Sequence, residues 1–255
     1  MDVDRRKFLK VAGLSVVVGL TGQKSIEAFA EQILPEELPL TATRWAMAID
    51  LRKCLKEEGC TSCIDACHYA HNVPHFSNPK DEVKWIWKEP FEQVFEDQEH
   101  KYIDEQLQQS LVLVFCNHCD KPPCVKVCPT KATWKREEDG IVMMDMHRCI
   151  GCRYCVAACP YGSRSFNWRD PRPFIKEMNP EFPTRSKGVV EKCNFCVERL
   201  ARGIPPACAD ACKFRALTFG DLGDPRSEIR KILSSRYAIR RRPYLGTEPQ
   251  IYYLV

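Results

Sequence analysis

Short apolar runs separated by polar and turn residues dominate this chain. Leu111–Phe115 is an apolar run that predicts a β-strand. Two further runs, at 133–136 and 141–145, flank the sequence EEDG, which predicts a hairpin that turns at Gly140. The run Ile251–Leu254 predicts a last strand. The strands are therefore expected to be short.

The helix signals are equally short. Asp224 followed by Pro225 is typical of an N-cap and the first residue of a helix, which we expect to reach about Arg236. Short helices are also expected to follow the third cysteine of each cysteine group described below, around 156–158 and 209–211.

The segment 70–110 carries many charges together with several aromatic residues. These aromatic residues are Trp85, Trp87, Phe91 and Phe95. We interpret the segment as an insertion whose aromatic side chains pack in the core. The alternatives are a cover over the cysteine groups and a partner surface.

The first thirty residues have the features of an export signal. The sequence DRRKFLK at 4–10 contains paired arginines, the apolar stretch 11–20 follows, and the sequence Ala28-Phe29-Ala30 offers small residues for cleavage after Ala30. This pattern is typical of a twin-arginine signal. Ten apolar residues are too few for a bilayer core, which needs about 20, although an uncleaved signal held by a partner stays open. No other stretch is long and apolar enough to span a membrane, so we expect a periplasmic protein that is soluble or peripheral on the outer face of the cytoplasmic membrane.

The charges are nearly balanced. The 255 residues include 38 Lys and Arg against 34 Asp and Glu, a formal net charge of +4. This balance gives no support for nucleic-acid binding. The run Arg240, Arg241 and Arg242 is interpreted as solvated surface.

Sixteen cysteines fall into four groups of four, with none left over. Group one is Cys54, Cys60, Cys63 and Cys67; group two is Cys116, Cys119, Cys124 and Cys128; group three is Cys149, Cys152, Cys155 and Cys159; group four is Cys193, Cys196, Cys208 and Cys212. Export makes disulfides a serious alternative, and paired C-x2-C motifs also occur in zinc sites. Several cysteines at intervals of three suit thiolates that converge on one metal centre better than they suit disulfides.

Group three has the most informative spacing. It reads C-x2-C-x2-C-x3-C-P, the pattern of bacterial two-cluster ferredoxins, in which three cysteines hold one [4Fe–4S] cluster and the fourth ligates the other. Cys159 is accordingly expected to serve a neighbouring cluster. A c-type haem is excluded because no C-x-x-C-H motif is present. We interpret His68, His71 and His75 as surface or packing residues.

Two similar units alternate along the chain. MAIDLRKC, ending at Cys54, is similar to VMMDMHRC, ending at Cys149, and CNHC at Cys116 is similar to CNFC at Cys193. PPCVKVCPTKA and PPACADACKFRA form a third pair of similar segments. The repeat indicates duplication of a unit with two cysteine groups.

These observations predict an α+β fold, a duplicated bacterial ferredoxin-like fold with short strands and helices around four iron–sulfur clusters. We expect sheets too small to supply an ordinary core, so that the clusters organise folding and the apoprotein is poorly folded. A [4Fe–4S] cluster with four thiolates carries a charge of about −2 when oxidised. Basic residues near the ligands are expected to offset this charge and raise the reduction potentials; these are Lys53, Arg148, Arg153 and Lys192.

Over about 44–223, the chain resembles the four-cluster iron–sulfur subunits of membrane-linked oxidoreductases. This family includes the electron-transfer subunits of dimethyl sulfoxide reductase, polysulfide reductase and formate dehydrogenase, and the iron–sulfur protein of cytochrome c nitrite reduction. The resemblance rests on CNHCDKPPCVKVCPTKATWK, DMHRCIGCRYCVAACPYGSRSF, GVVEKCNFCVERLARGIPPACADAC and ALTFGDLGDP. The export signal, ACHYAHNVP and RSKGVVEKCNFC most resemble the periplasmic iron–sulfur subunit of the Dsr transmembrane complex.

The resemblance implies a ligand scheme that mixes the groups. Groups two and three are paired, so that Cys116, Cys119 and Cys124 share a cluster with Cys159, and Cys149, Cys152 and Cys155 share one with Cys128. Groups one and four are paired, so that Cys54, Cys60 and Cys63 join Cys212, and Cys193, Cys196 and Cys208 join Cys67. Cys54 and Cys60 are separated by the five residues LKEEG, where the family usually has two, so a departure from the scheme is most expected at that cluster.

The resemblance also implies the organisation of the mature chain. After the signal at 1–30, residues 31–255 are expected to form one four-cluster domain. One cluster pair occupies about 110–168, the other occupies about 43–70 with 186–220, and 221–255 form a C-terminal extension.

We expect a non-catalytic electron-transfer subunit of a membrane-bound respiratory complex. It would pass single electrons between a quinone-reactive polytopic membrane subunit and a further redox subunit, a multihaem cytochrome c, in sulfur metabolism. It would have no small-molecule substrate and no nucleic-acid partner. The alternatives are the same function beside an exported molybdenum oxidoreductase, and a binding module stabilised by disulfides or zinc.

Overall fold

The computed structural model describes residues 38–98 and 102–255. The predicted export signal therefore lies outside the described residues. Leu40–Val255 form one unit. In the part of the chain that is described, no helix combines the length and the apolar character needed to cross a membrane.

The described residues form ten strands and nine short α-helices. The strands are β1 (Trp45–Asp50), β2 (Ile86–Pro90), β3 (Leu111–Phe115), β4 (Thr133–Lys135), β5 (Val142–Met144), β6 (Ser165–Phe166), β7 (Val190–Glu191), β8 (Leu217–Asp221), β9 (Ala238–Ile239) and β10 (Ile251–Leu254). The helices are α1 (Leu51–Cys54), α2 (Ser62–Ala70), α3 (Phe91–Val94), α4 (Glu105–Gln108), α5 (Pro123–Lys126), α6 (Tyr154–Ala158), α7 (Val197–Leu200), α8 (Ala207–Asp210) and α9 (Glu228–Ser235). Four 3-10 helices, Pro79–Asp81, Glu96–Gln98, Arg172–Phe174 and Pro243–Leu245, lie in the connections.

The largest sheet has the strand order β8-β1-β10-β9. Its central strand β1 is buried along its whole length and pairs antiparallel with β8, with Met47 opposite Phe219. On its other edge β1 pairs parallel with β10, and Met47 lies opposite Ile251. The end of the chain is thereby built into the same sheet as its first described strand.

Three two-stranded sheets complete the fold of the described residues. β2 pairs antiparallel with β3, β4 with β5, and β6 with β7. The predicted strands at Leu111–Phe115 and Ile251–Leu254 and the predicted hairpin around Gly140 are confirmed. Gly140 has φ of +74°, a left-handed conformation that glycine adopts without strain. Small mixed elements in this arrangement are the α+β fold that the sequence predicted.

The insertion at 70–110 packs in the core, as predicted. Trp85, Trp87, Phe91 and Phe95 are all buried and belong to the main hydrophobic cluster of the molecule. That cluster also contains β1, β3 and β10 side chains. The sheets are small, and the insertion adds large aromatic side chains to the core that they share.

Two local predictions need correction. The C-terminal helix has Ser227, not Asp224, as its N-cap, because the Ser227 side chain accepts the Arg230 N–H, whereas Asp224 accepts from Arg226 in the preceding turn. The short helices beside the cysteine groups begin one residue before the third cysteine of each group, not after it.

The arginine run at 240–242 is not solvated surface. Arg241 is buried, lies over the Tyr161 ring and pairs with Glu89 at 3.8 Å. Arg242 donates to the Pro160 carbonyl and pairs with Glu96. These arginines attach the C-terminal extension to segments far away in the sequence.

Candidate metal centre

The sixteen cysteines converge on four sites, and each site takes three cysteines from one group and one from another. The cysteines of sites A, C and D line three separate cavities. Site A contains Cys54, Cys60, Cys63 and Cys212; site C contains Cys116, Cys119, Cys124 and Cys159; site D contains Cys149, Cys152, Cys155 and Cys128. Cys54 and Cys60 line the same cavity, although five residues separate them in the sequence.

Site B contains the remaining four cysteines. Burial raises the pKa of Cys67, and the next contributions come from the thiols of Cys196, Cys193 and Cys208. These four residues are therefore mutual neighbours. Cys67 lies in α2 and Cys208 in α8, and the two helices pack against one another.

One local structure recurs at all four sites. The third cysteine of each group is the second residue of a short helix: Cys63 in α2, Cys124 in α5, Cys155 in α6 and Cys208 in α8. The first turn of a helix has unpaired backbone N–H groups, which favour the thiolate form of a nearby cysteine. The chain then continues through or just past the helix to the fourth cysteine, which belongs to the neighbouring site.

The thiols are held by hydrogen bonds as well as by burial. The backbone N–H groups of Ala207 and Ala216 donate to the sulfur atoms of Cys196 and Cys212 at 3.3 and 3.2 Å. Burial raises the pKa of the Cys193 thiol to about 12. A buried thiol of this kind ionises when a bound metal compensates its charge, so metal binding at these sites releases protons.

The donor set and the spacing of its sulfur atoms favour an iron–sulfur cluster over the two structural alternatives. All sixteen cysteines are described, and none forms a disulfide. A zinc ion with Zn–S bonds of about 2.3 Å would hold its sulfur atoms about 3.8 Å apart. Among the described residues, no three cysteine sulfur atoms lie within 4.8 Å of one another. Four soft thiolates around a larger space fit an iron–sulfur cluster.

Charge interactions show which sites are neighbours within each half. Burial raises the pKa of Cys208 in site B, and Cys63 of site A is among the thiols that add to this shift. Burial likewise raises the pKa of Cys155 in site D, with a contribution from Cys124 of site C. Site A therefore lies beside site B, and site C beside site D.

Sites B and C connect the two halves. Burial makes the largest contribution to the raised pKa of Cys193 in site B, and the thiol of Cys116 in site C makes the next largest. His118 of group two stacks on Phe195 of group four, with ring centroids 3.8 Å apart and an interplanar angle of 11°. Both residues occupy the same position in the repeated C-N-x-C motif. The sites are thus ordered A, B, C, D.

The basic residues that the sequence singled out differ widely in their positions. Lys192 is buried, and the thiols of Cys116 and Cys193 interact with its charge. Lys53, Arg148 and Arg153 are exposed, so that solvent screens them.

Sequence reasoning missed Arg164, which is 4% exposed and donates to the Cys124 sulfur at 3.0 Å. No local pattern marks it; its position in the segment after group three, YGSRSF, is the only available signal.

The histidine prediction is confirmed for His71. The ring is buried between Trp85, on which it stacks at 4.4 Å, and Phe182. Its Nε2 lies 2.8 Å from a Glu198 carboxylate oxygen, and its Nδ1 lies 2.9 Å from the Cys67 carbonyl oxygen. The residue packs beside site B.

Comparisons with known proteins agree with this donor set. The model of the 4Fe-4S dicluster domain matches residues 109–172 and 178–222. The chain is 41% identical to the Hdr-like menaquinol oxidoreductase iron-sulfur subunit 1 of Archaeoglobus fulgidus, over 98% of this chain and 97% of the relative. It is 39% identical to the menaquinone reductase iron-sulfur cluster-binding subunit of Nitratidesulfovibrio vulgaris (83% and 88%) and 34% identical to the protein NrfC of Escherichia coli K12 (99% and 95%).

These matches define the class of protein. The chain belongs to the family of four-cluster iron–sulfur electron-transfer subunits, which the sequence motifs had indicated. It carries four [4Fe–4S] clusters and functions in electron transfer within a redox complex.

Proposed function

We propose that this chain is an exported electron-transfer subunit that joins a quinone-reactive membrane subunit to a second redox subunit. The observation that carries the proposal is the row of four thiol sites, each with two neighbours at most. A row of this kind has two ends, and each end needs a partner to deliver or remove electrons.

We assign the sixteen cysteines as cluster ligands by site. The assignment is supported by the cavities of sites A, C and D and by the mutual charge interactions within site B. It agrees with the ligand scheme that the family resemblance implied. Each cluster takes up and releases one electron at a time, and the surrounding residues exclude water and fix the distances between sites.

The surface beside site D combines exposed apolar side chains with exposed basic ones, such as Arg148 and Arg153. Val127, Ile150, Tyr154 and Trp168 are exposed here, with Ile150 66% and Tyr154 62% accessible. Ile150 and Arg153 line the site D cavity, and the Arg153 guanidinium lies 4.8 Å from the Trp168 ring centroid. Exposed aromatic and aliphatic side chains around a terminal redox site favour a tightly packed protein partner.

The surface beside site A carries charged side chains of both signs. Lys53, Lys56, Glu57, Glu58 and Lys213 are exposed around this cavity. Charged surfaces steer transient encounters between soluble redox proteins. The exposed apolar side chains support a membrane-embedded partner at site D, and we place the soluble partner, a cytochrome c, at site A.

The finer assignment rests on the sequence and on the relatives' names. Two relatives are named for menaquinol oxidoreductase and menaquinone reductase, which supports a quinone-reactive partner. The likeness to the periplasmic subunit of the Dsr complex supports a role in sulfur metabolism, and the twin-arginine pattern supports location on the outer face of the cytoplasmic membrane. Fractionation of cells into cytoplasm, membrane and periplasm tests the location; cytoplasmic recovery would contradict it.

Purification from native membranes tests the partnership. After gentle detergent extraction, we expect the chain to elute with a polytopic membrane subunit and a cytochrome c. A molybdenum enzyme in place of the cytochrome would select the alternative named above. Elution of the wild-type chain alone would refute the docking.

A pair of charge variants tests which end faces the membrane subunit. Ile150→Glu, beside site D, should release the chain from that subunit, because a charge in an apolar interface is unfavourable. Lys56→Glu, at the opposite end, is the matched control and should leave that contact intact. Release by Lys56→Glu but not by Ile150→Glu would reverse the assignment of the two ends.

A further inference from the structure

Two cations are buried without a carboxylate partner. Arg164 is 4% exposed and Lys192 is 2% exposed, and neither forms a salt bridge within the described residues. Arg185 provides the contrast: it is equally buried, but it pairs with Glu191 at 2.6 Å. Burial of an unpaired charge is costly, so the counter-charge of Arg164 and Lys192 has to come from another group.

Arg164 lies between sites C and D. Its Nη2 donates to the Cys124 sulfur at 3.0 Å and to the Thr133 hydroxyl at 2.8 Å. The thiols that interact with its charge are, in order, those of Cys124, Cys155, Cys116 and Cys159. Three of these belong to site C and one to site D.

Lys192 lies between sites B and C. Its Nζ donates to the carbonyl oxygens of Val142 and Cys193, the latter at 2.6 Å. Cys116, Cys193 and Cys124 interact with its charge. Site C therefore has a buried cation on each side, one toward site B and one toward site D.

Site B shares Lys192 with site C but also has a carboxylate beside it. The Glu198 carboxylate adds to the raised pKa of both Cys193 and Cys196, after burial and neighbouring thiols. A carboxylate beside a cluster disfavours an added electron, and a cation or a hydrogen bond to sulfur favours it.

We propose that Arg164 and Lys192 raise the reduction potential of the cluster at site C above those of its neighbours, so that electrons collect at this inner position. The proposal rests on the electron-transfer function and adds an uneven potential profile to it. Arg185 pairs with a carboxylate, whereas Arg164 and Lys192 do not. The anionic clusters therefore act as the counter-charges of these two cations.

Redox titration of the purified, cluster-loaded protein tests this, with one midpoint potential per cluster from EPR. Arg164→Gln should lower the potentials at sites C and D, and Lys192→Gln those at sites B and C. One cluster, with the highest potential in the wild type, should respond to both changes. Its equilibrium constant for reduction should fall about tenfold or more, which is about 59 mV for one electron.

Two further variants control the test. Arg148→Gln removes an exposed cation next to Cys149 that does not line the site D cavity, so the equilibrium constant should change by less than about threefold. Arg164→Lys keeps the charge and should retain a potential close to that of the wild type. Unshifted potentials in both Gln variants, or an equal shift in Arg148→Gln, would overturn the proposal.

The proposal can still be tested if the Arg164→Gln variant loses a cluster. Lys192→Gln must still lower two potentials, and Arg164→Lys must still keep them; failure of either overturns the proposal. The titration needs no partner protein, so its outcome is independent of whether the membrane and cytochrome partners are correctly assigned.

Discussion

At the scale of single residues, Asp221 fixes the start of the main sheet. Its carboxylate accepts the backbone N–H groups of Thr43, Arg44 and Gly223, at 3.0, 2.8 and 2.8 Å. Burial opposes its ionisation, but these hydrogen bonds prevail and lower the pKa of Asp221. One side chain thus holds the start of β1 against the end of β8.

Asp221→Ala should lower the stability by about 1–3 kcal/mol, because three backbone donors lose a charged acceptor. Anaerobic heating followed by the visible absorption of the clusters measures the loss. The difference from the wild type should be complete above the unfolded-state pKa of about 3.9 and should vanish as the pH falls through the lower folded-state value. Asp170→Ala, which removes an exposed partner of Arg172, should change little.

Cys159→Ser tests the mixing of groups at the level of one ligand. Cys159 follows group three in the sequence but lines site C. The EPR component that is altered should be the one altered in Cys119→Ser, and the component altered in Cys152→Ser should be different. A Cys159→Ser spectrum that matches Cys152→Ser would show that the site assignment is wrong.

At the scale of elements, the β4–β5 hairpin depends on one glycine and one arginine. A Cβ at Gly140 would lie 1.6 Å from Nη1 of Arg44. Arg44 donates from Nη1 to the Gly140 carbonyl and from Nη2 to the His118 carbonyl, at 2.9 and 3.0 Å. The hairpin turn therefore helps to position the loop of group two beside site C.

Gly140→Ala should destabilise the protein by more than about 1 kcal/mol, because it adds a clash with Arg44 to the backbone cost of a positive φ. Gly162→Ala is the matched control: φ there is also positive, at +65°, but no atom lies within 4 Å of the added Cβ. Its cost should be the backbone contribution alone. Thermal loss of the visible absorption compares the two variants, and equal losses would contradict the role of Arg44.

At the scale of the whole molecule, the duplication accounts for two similar pairs of sites, A with B and C with D. Groups two and three supply sites C and D, and groups one and four supply sites A and B. Within each half, the fourth cysteine of each group belongs to the site of the other group. The two sites therefore connect segments that are distant in the sequence, and cluster assembly and folding are expected to depend on one another.

Iron analysis checks the cluster content of the whole chain. We expect about sixteen irons and an equal amount of acid-labile sulfide per chain in anaerobically purified protein, since each [4Fe–4S] cluster is held by four cysteines. A value near eight would contradict four clusters. Removal of iron by a chelator should be accompanied by loss of the native fold, which circular dichroism measures.

Sequence alone determined the features that depend on local spacing. The intervals of three between Cys149, Cys152 and Cys155 predicted iron–sulfur ligation, and short apolar runs predicted β3 and β10 correctly. Such features could be predicted because a ligand motif or a strand is defined by residues that are close together in the chain.

Only the tertiary structure decided which charges are buried. Arg241, in a run that was interpreted as surface, lies over the Tyr161 ring and beside Glu89, and Arg164 contacts Cys124 forty residues away. Burial of a charged side chain depends on segments that are remote in sequence and on the counter-charge that they supply. No local pattern contains that information, which is why the order of the sites and the cations beside site C emerge only from the fold.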